Sequence, residues 1–189
     1  MTTSPGPDPS PDGHYAIFLR GVNVGGINIK MTDLKRALTQ LPLYSVATLL
    51  ASGNIICQTA MGPAELKSAV ETCLRDTFGY DAWVVVLTVS RIAALIAACP
   101  YPADSAKDHC YITLGSDSEI LTELYGLAEQ LPSVEQCRLG PEATAWLAPV
   151  GGTLESPFSK LSAKSRYKSS TTTRNLRTLV KVRDALARL

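Results

Sequence analysis

The order in which strand-type and helix-type patterns alternate between His14 and Thr88 constrains the fold more than any single motif. His14–Arg20 (HYAIFLR) is a nearly unbroken apolar run of strand length. Gly21–Lys30 (GVNVGGINIK) is a loop rich in glycine and asparagine. Thr32–Leu41 sets Leu34, Leu38 and Leu41 on one helical face, and Pro42 ends it. Tyr44–Ala51 and Asn54–Thr59 predict two strands of a hairpin, joined by the short turn Ser52-Gly53-Asn54. Pro63 suits a first helical position and Gly79 the left-handed position past a helix end. Leu66, Val70, Cys73, Leu74 and Phe78 form the apolar stripe between them. Asp81–Thr88 completes the series as a strand, giving β-α-β-β-α-β, the order of a split βαβ, ferredoxin-like unit.

The rest of the chain repeats this order without repeating the residues. Ser90 starts a short helix through Ala98, stopped by Pro100 and Pro102. His109–Leu114 predicts a strand. Ser116 and Glu119 form a capping-box pattern ahead of a helix that runs to Leu131. Val134–Leu139 and Thr144–Val150 predict a hairpin around Gly140-Pro141-Glu142, and a final helix spans about Asn175 to Leu189. This second series lacks only its last strand. The expected class is α+β, with tandem ferredoxin-like (βαββαβ-type) halves and mostly antiparallel sheets. Residues 1–13, with four prolines, are expected to be a disordered tail, 14–88 the first half, and 89–189 the second half with a basic C-terminal helix.

Composition excludes several classes. The tail has no basic stretch followed by an apolar one, so it does not read as a signal peptide. The apolar run Thr88–Cys99 is too short to span a bilayer and is interrupted by Ser90 and Arg91, so no membrane association is expected. Two histidines and five scattered cysteines with no C-x-x-C argue against a zinc site and against a disulfide framework. Reduced thiols in a cytoplasm, with no metal and no cofactor, are the simplest reading.

The split βαβ order makes its first and second strands parallel, so both finish at one end of the sheet. The loop after the first strand and the turn after the second are therefore expected to be neighbours. That end gathers Arg20, Asn23, Gly25, Gly26 and Asn28 with Ser52, Gly53 and Asn54. Glycines let backbone N–H groups approach an anion, arginine offers a planar fork, and asparagine and serine donate and accept. The same residues also suit plain turn geometry, and Arg20 could pair with a carboxylate. The glycine spacing fits neither a P-loop nor a dinucleotide fingerprint.

The segments Arg20-Gly21-Val22-Asn23-Val24-Gly25-Gly26, Met31-Thr32-Asp33-Leu34 and Ser52-Gly53-Asn54-Ile55-Ile56 resemble the bacterial family called domain of unknown function 1697. The resemblance extends to Ser159-Lys160-Leu161-Ser162 and Thr173-Arg174-Asn175. It implies a tandem ferredoxin-like fold and a cytoplasmic location, and no established activity. It also brings Lys160, Arg174 and Asn175 into the candidate site. After the Arg-Asn pair the family usually carries Trp, where this chain has Leu176.

Charge is unevenly spread. From Lys160 onward there are nine basic residues and one acid, Asp184, while the preceding chain is acidic. On a helical wheel Arg174, Arg177, Lys181 and Arg188 share one face, and Leu176, Leu179, Val180, Val182 and Leu186 the other. Arg183 falls in the apolar arc and must snorkel or meet a carboxylate. Ser159–Arg174 reads as a mobile connection. The basic face fits a solvated surface, phosphates of a nucleotide or nucleic acid, or docking on the chain's own acidic body. Base stacking in the manner of an RNA-recognition sheet is disfavoured, because Asn54–Thr59 has no aromatic residue. No G-x-S-x-G elbow or adjacent nucleophile–base pair marks an enzyme, and Cys57 and Cys110 sit in apolar strands as small core residues. The leading expectation is a binder of an anionic ligand (a nucleotide, phosphorylated metabolite or nucleic acid) at the Arg20 end. The alternatives are an enzyme acting on a phosphorylated small molecule there, or a protein-interaction module.

Overall fold

A computed structural model of the chain describes residues 13–21, 23–24 and 27–189; the proline-rich tail at 1–12 and the glycines at 25 and 26 lie outside the described residues. The described residues form two compact units, one within residues 1–92 together with 182–189 and one of residues 93–181.

In the first unit β1 (His14–Arg20), β4 (Tyr44–Leu49), β5 (Asn54–Gln58) and β6 (Trp83–Thr88) form one sheet in the order β4-β5-β1-β6. All neighbouring pairs are antiparallel. β5 therefore lies between β4 and β1, which run parallel as the split βαβ order requires. Helices α1 (Met31–Leu38) and α2 (Pro63–Phe78) cover one face. Tyr15, Ile17 and Leu19 of β1 enter that core with Ile55, Cys57, Val84 and Val86, against Leu34, Leu66, Val70 and Leu74 of the helices. Ala16 and Phe18 point the other way and are buried too, which accounts for the unbroken apolar run of β1. Pro63 opens α2, and Gly79 ends it at φ +71°. The described residues of the glycine loop include a two-residue ladder of β2 (Asn23–Val24) and β3 (Ile27–Asn28), with Asn23 opposite Asn28.

The second unit holds β7 (Asp108–Gly115), β8 (Gln136–Gly140), β9 (Ala143–Pro149) and β10 (Thr171–Asn175) in the order β10-β7-β9-β8. This is the strand order of the first sheet, so both halves are complete ferredoxin-like sheets, again antiparallel throughout. The expectation of a missing last strand is corrected by β10. Its sequence, TTTRN, shows no apolar period, yet Thr171 and Thr172 are buried. Their polar atoms are satisfied: Thr171 Oγ1 donates to the Tyr167 carbonyl at 2.8 Å, and Thr172 Oγ1 accepts from Arg174 Nη1 at 2.8 Å. Thr173 and Thr113 hydroxyls meet at 2.8 Å across the strand pair. A buried polar strand is tolerated when every such group has a partner.

The stretch expected to be mobile forms two short helices, α5 (Pro157–Ser162) and α6 (Ser165–Lys168). Ser156 caps α5 by accepting from the Ser159 N–H at 3.1 Å, with Pro157 at the first helical position. Helix α4 (Ser118–Glu129) is capped by Asp117 instead of Ser116, Asp117 Oδ1 accepting from the Glu119 and Ile120 N–H groups at 2.9 and 3.1 Å. A carboxylate one residue later meets the next pair of amides with the helix dipole in its favour. The core of this unit is Trp146, stacked between Tyr111 (4.9 Å between centroids) and Phe158 (4.7 Å), its indole N–H donating to Thr113 Oγ1 at 3.0 Å. Helix α3 (Val89–Ala98) leads out of β6, and α7 (Leu176–Leu186) follows β10 directly. Arg174 thus lies in a strand, not on the basic helix face. No helix among the described residues is long and apolar enough to cross a membrane.

Truncating Trp146 to alanine is expected to cost about 3–5 kcal/mol, the range for a large buried aromatic. Urea denaturation followed by far-UV circular dichroism measures it.

Candidate functional site

The Leu19 N–H donates to the Gly53 carbonyl at 2.8 Å, so the end of β1 and the β4–β5 turn are joined backbone to backbone. Across the ladder Phe18 stands opposite Asn54 and Arg20 opposite Trp83. Since Leu19 faces the helices, strand alternation places Arg20 on the other face, with Phe18 and Asn54. Arg20 is half-buried, and burial lowers its pKa below the ordinary value, although an arginine keeps its charge at neutral pH. A partly desolvated cation attracts an anion more strongly than one in open water.

The turn is built by Asn54. Fully buried, it donates from Nδ2 to the Leu49 carbonyl and to Ser52 Oγ, both at 2.9 Å. Gly53 takes φ +70°, which a Cβ would disfavour, and Leu50 takes φ +60°, a conformation that costs a leucine about 1–2 kcal/mol. Ser52 is exposed at the tip. The start of the glycine loop is held by Tyr80, whose hydroxyl donates to the Gly21 carbonyl at 3.2 Å. Burial raises the Tyr80 pKa, keeping that donor protonated. Sequence reasoning missed Tyr80; its signal was an aromatic placed directly after the helix-ending Gly79. Of the candidate residues, Arg20, Ser52, Gly53 and Asn54 come together here, Asn23 and Asn28 pair through their backbones in the β2–β3 ladder, and Gly25 and Gly26 lie outside the described residues.

Lys160, Arg174 and Asn175 belong to the second unit. Lys160 Nζ donates to Glu155 Oε2 at 2.8 Å. Arg174 is buried, with Nη1 on the Thr173 carbonyl as well as on Thr172. Asn175 Oδ1 accepts from the Arg177 N–H at 2.9 Å and so starts α7. Other tail cations also meet acids: Arg166 Nε donates to Glu123 Oε1 at 2.5 Å, Arg177 lies 3.7 Å from Asp104, and Arg183 bonds Asp184 at 2.8–2.9 Å. Glu155, Glu123 and Asp104 precede the basic segment, whereas Asp184 lies within it. Leu176 is buried, so the position where the family carries Trp is a core position in this chain.

The second unit makes the same strand-end junction, with the Gly115 N–H donating to the Glu142 carbonyl at 2.8 Å. There the helix follows the strand after two residues, whereas ten separate β1 from α1. Arg138 closes the adjacent turn, donating to the Gly140 and Pro141 carbonyls at 2.7 and 2.8 Å.

The family described as "Protein of unknown function (DUF1697)" matches residues 13–144. The chain belongs to this family. The match covers the Arg20 and Ser52 segments, while Lys160, Arg174 and Asn175 lie beyond it. The conserved bacterial protein SP0830 from Streptococcus pneumoniae has a similar structure, with a TM-score of 0.76 and 21% identity, covering 93% of this chain and 98% of that one. At that identity the likeness speaks for the fold. No curated protein matches the sequence.

Two outcomes follow from these contacts. Asn54→Ala is expected to destabilise the protein by about 1–3 kcal/mol, the cost of removing a buried side chain whose amide donates to the Leu49 carbonyl and Ser52 Oγ, read from a denaturant midpoint. Glu123 has its pKa lowered first by the hydrogen bond from Arg166, so its contribution is complete above the unfolded carboxylate pKa and is lost as pH falls through the folded one. Glu123→Gln is expected to flatten that acid limb in thermal midpoints recorded against pH, leaving the slope at neutral pH unchanged.

Proposed function

We propose that the protein binds an anionic ligand, a phosphorylated small molecule such as a nucleotide, at the sheet end formed by the Arg20 loop and the Ser52–Asn54 turn. One observation carries this reading. The fold closes the equivalent junction of the second unit with two residues, so the ten-residue excursion after β1, rich in glycine and asparagine, is not something the fold requires. A half-buried arginine, a turn with backbone at positive φ and a hydroxyl at the tip supply the chemistry that recognises phosphate.

A small ligand is favoured over a nucleic acid, because Lys160, Arg166, Arg177 and Arg183 each have a carboxylate partner and do not offer a continuous free basic track. Catalysis on a phosphorylated molecule would use the same end. The free state of all five cysteines suits a reducing cytoplasm.

Thermal-shift measurements on wild type, Arg20→Ala and Arg20→Lys test this reading, with inorganic phosphate, adenosine mono-, di- and triphosphates, ribose 5-phosphate and a short single-stranded RNA as probes. A ligand at 100 times its dissociation constant adds about 2.7 kcal/mol of stability and raises the midpoint measurably. The expected result is a shift with a phosphorylated small molecule, lost in Arg20→Ala and weakened in Arg20→Lys. A shift with RNA alone, falling steeply with salt, would move the assignment to nucleic acid. No shift with any anion, joined to a mass that rises with concentration, would replace it with an interaction module.

A further inference from the structure

All five cysteines are free, but they are not alike. Cys57 is fully buried in β5, and burial pushes its thiol up to about 12. Cys73 is buried in α2, donates to the Ala37 carbonyl at 3.3 Å and is also raised. Cys99 and Cys110 form a pair. Cys99 directly follows α3 and is partly exposed, Cys110 is buried in β7, and their sulfurs lie 3.7 Å apart. Both belong to the second unit.

We propose that Cys99 and Cys110 are a peroxide-sensitive dithiol that closes reversibly to an intrachain disulfide. The roles follow from position. Cys99 has solvent access and Cys110 does not, so Cys99 meets the oxidant and Cys110 resolves it. The hydrogen bond with Cys110 lowers the Cys99 thiol below its ordinary value, which favours the thiolate, the nucleophilic form. That same hydrogen bond, with burial, holds the proton on Cys110.

The chemistry balances with hydrogen peroxide as the oxidant. The Cys99 thiolate attacks one peroxide oxygen, the O–O bond breaks, hydroxide leaves, and Cys99 becomes a sulfenic acid. The Cys110 sulfur then attacks the Cys99 sulfur. The S–O bond breaks, water departs with the Cys110 proton, and a disulfide remains. Two electrons pass from the two sulfurs to peroxide, and a thiol reductant returns them. The closed bond ties the residue after α3 to a central strand of the second sheet, across the proline-containing segment 100–107.

The test is peroxide titration of the full-length protein, followed by thiol counting, intact mass and peptide mapping. The expected result in wild type is loss of two of the five thiols, a mass decrease of about 2 Da and one linked peptide pair joining Cys99 to Cys110, all reversed by dithiothreitol. Cys110→Ala, checked for its fold by circular dichroism, is expected to accumulate a dimedone-trappable sulfenic acid at Cys99. Cys99→Ser is expected to leave Cys110 reduced. Oxidation spread over Cys57, Cys73 or Cys137, overoxidation of Cys99 with Cys110 still free, or no sulfenic acid in folded Cys110→Ala would each overturn the proposal.

Discussion

The backbone bond from the Leu19 N–H to the Gly53 carbonyl is the point on which the first unit's candidate site depends. It exists because β5 is inserted between β1 and β4, and that insertion follows from the order of elements along the chain. Parallel strands joined by a helical crossover finish at the same end. The helix-facing side chains of β1 and β5 hold the register, since a slip of one residue would turn Ile17 and Ile55 out of the core. Residues more than thirty positions apart in sequence thereby become neighbours around Arg20.

The two units use one architecture for different local chemistry. In the first, the strand-end junction opens into a long glycine loop anchored by Tyr80. In the second, Asp117 starts the helix almost at once and Arg138 closes the turn with its own guanidinium. The distinctive chemistry of the second unit lies elsewhere, where Cys99 meets Cys110. The basic C-terminal segment is largely structural in its contacts: Arg174 braces a polar strand, Asn175 starts α7, and several cations hold carboxylates. Most of those ion pairs are exposed and stabilise little individually, and they pair only part of a segment whose sequence reads as free positive charge.

Much of this was legible in the residues. The apolar run of β1, the hairpin at Ser52-Gly53-Asn54, and the Pro63 and Gly79 limits of α2 all follow from local rules that tertiary packing did not override. The joining of the β1 end to the Ser52-Gly53-Asn54 turn followed from strand order alone. What was not legible lacked an apolar period. β10 is a run of threonines that becomes a buried strand because Tyr167, Thr113 and Arg174 satisfy its hydroxyls. Ser156-Pro157 did carry a helix-start signal for α5, obscured by the polar residues around it. The Cys99–Cys110 approach is a tertiary fact, since neither spacing nor composition brings the residue after a helix against a buried strand cysteine. Tyr80 stood out as an aromatic directly after Gly79, but its partner, the Gly21 carbonyl, is set by tertiary packing.

Strand pairing brings the end of β1 and the Ser52–Asn54 turn to one end of the first sheet, where an anion is proposed to bind. Titration of the isotope-labelled protein with inorganic phosphate, followed amide by amide in nitrogen–proton correlation spectra, tests it most directly. Saturable shifts are expected, concentrated at Arg20, Gly21, Ser52, Gly53 and Asn54 and lost in Arg20→Ala. Shifts that grow without saturating, or that centre on Lys164, Lys168 and Lys181 while the Arg20 end stays still, would contradict it.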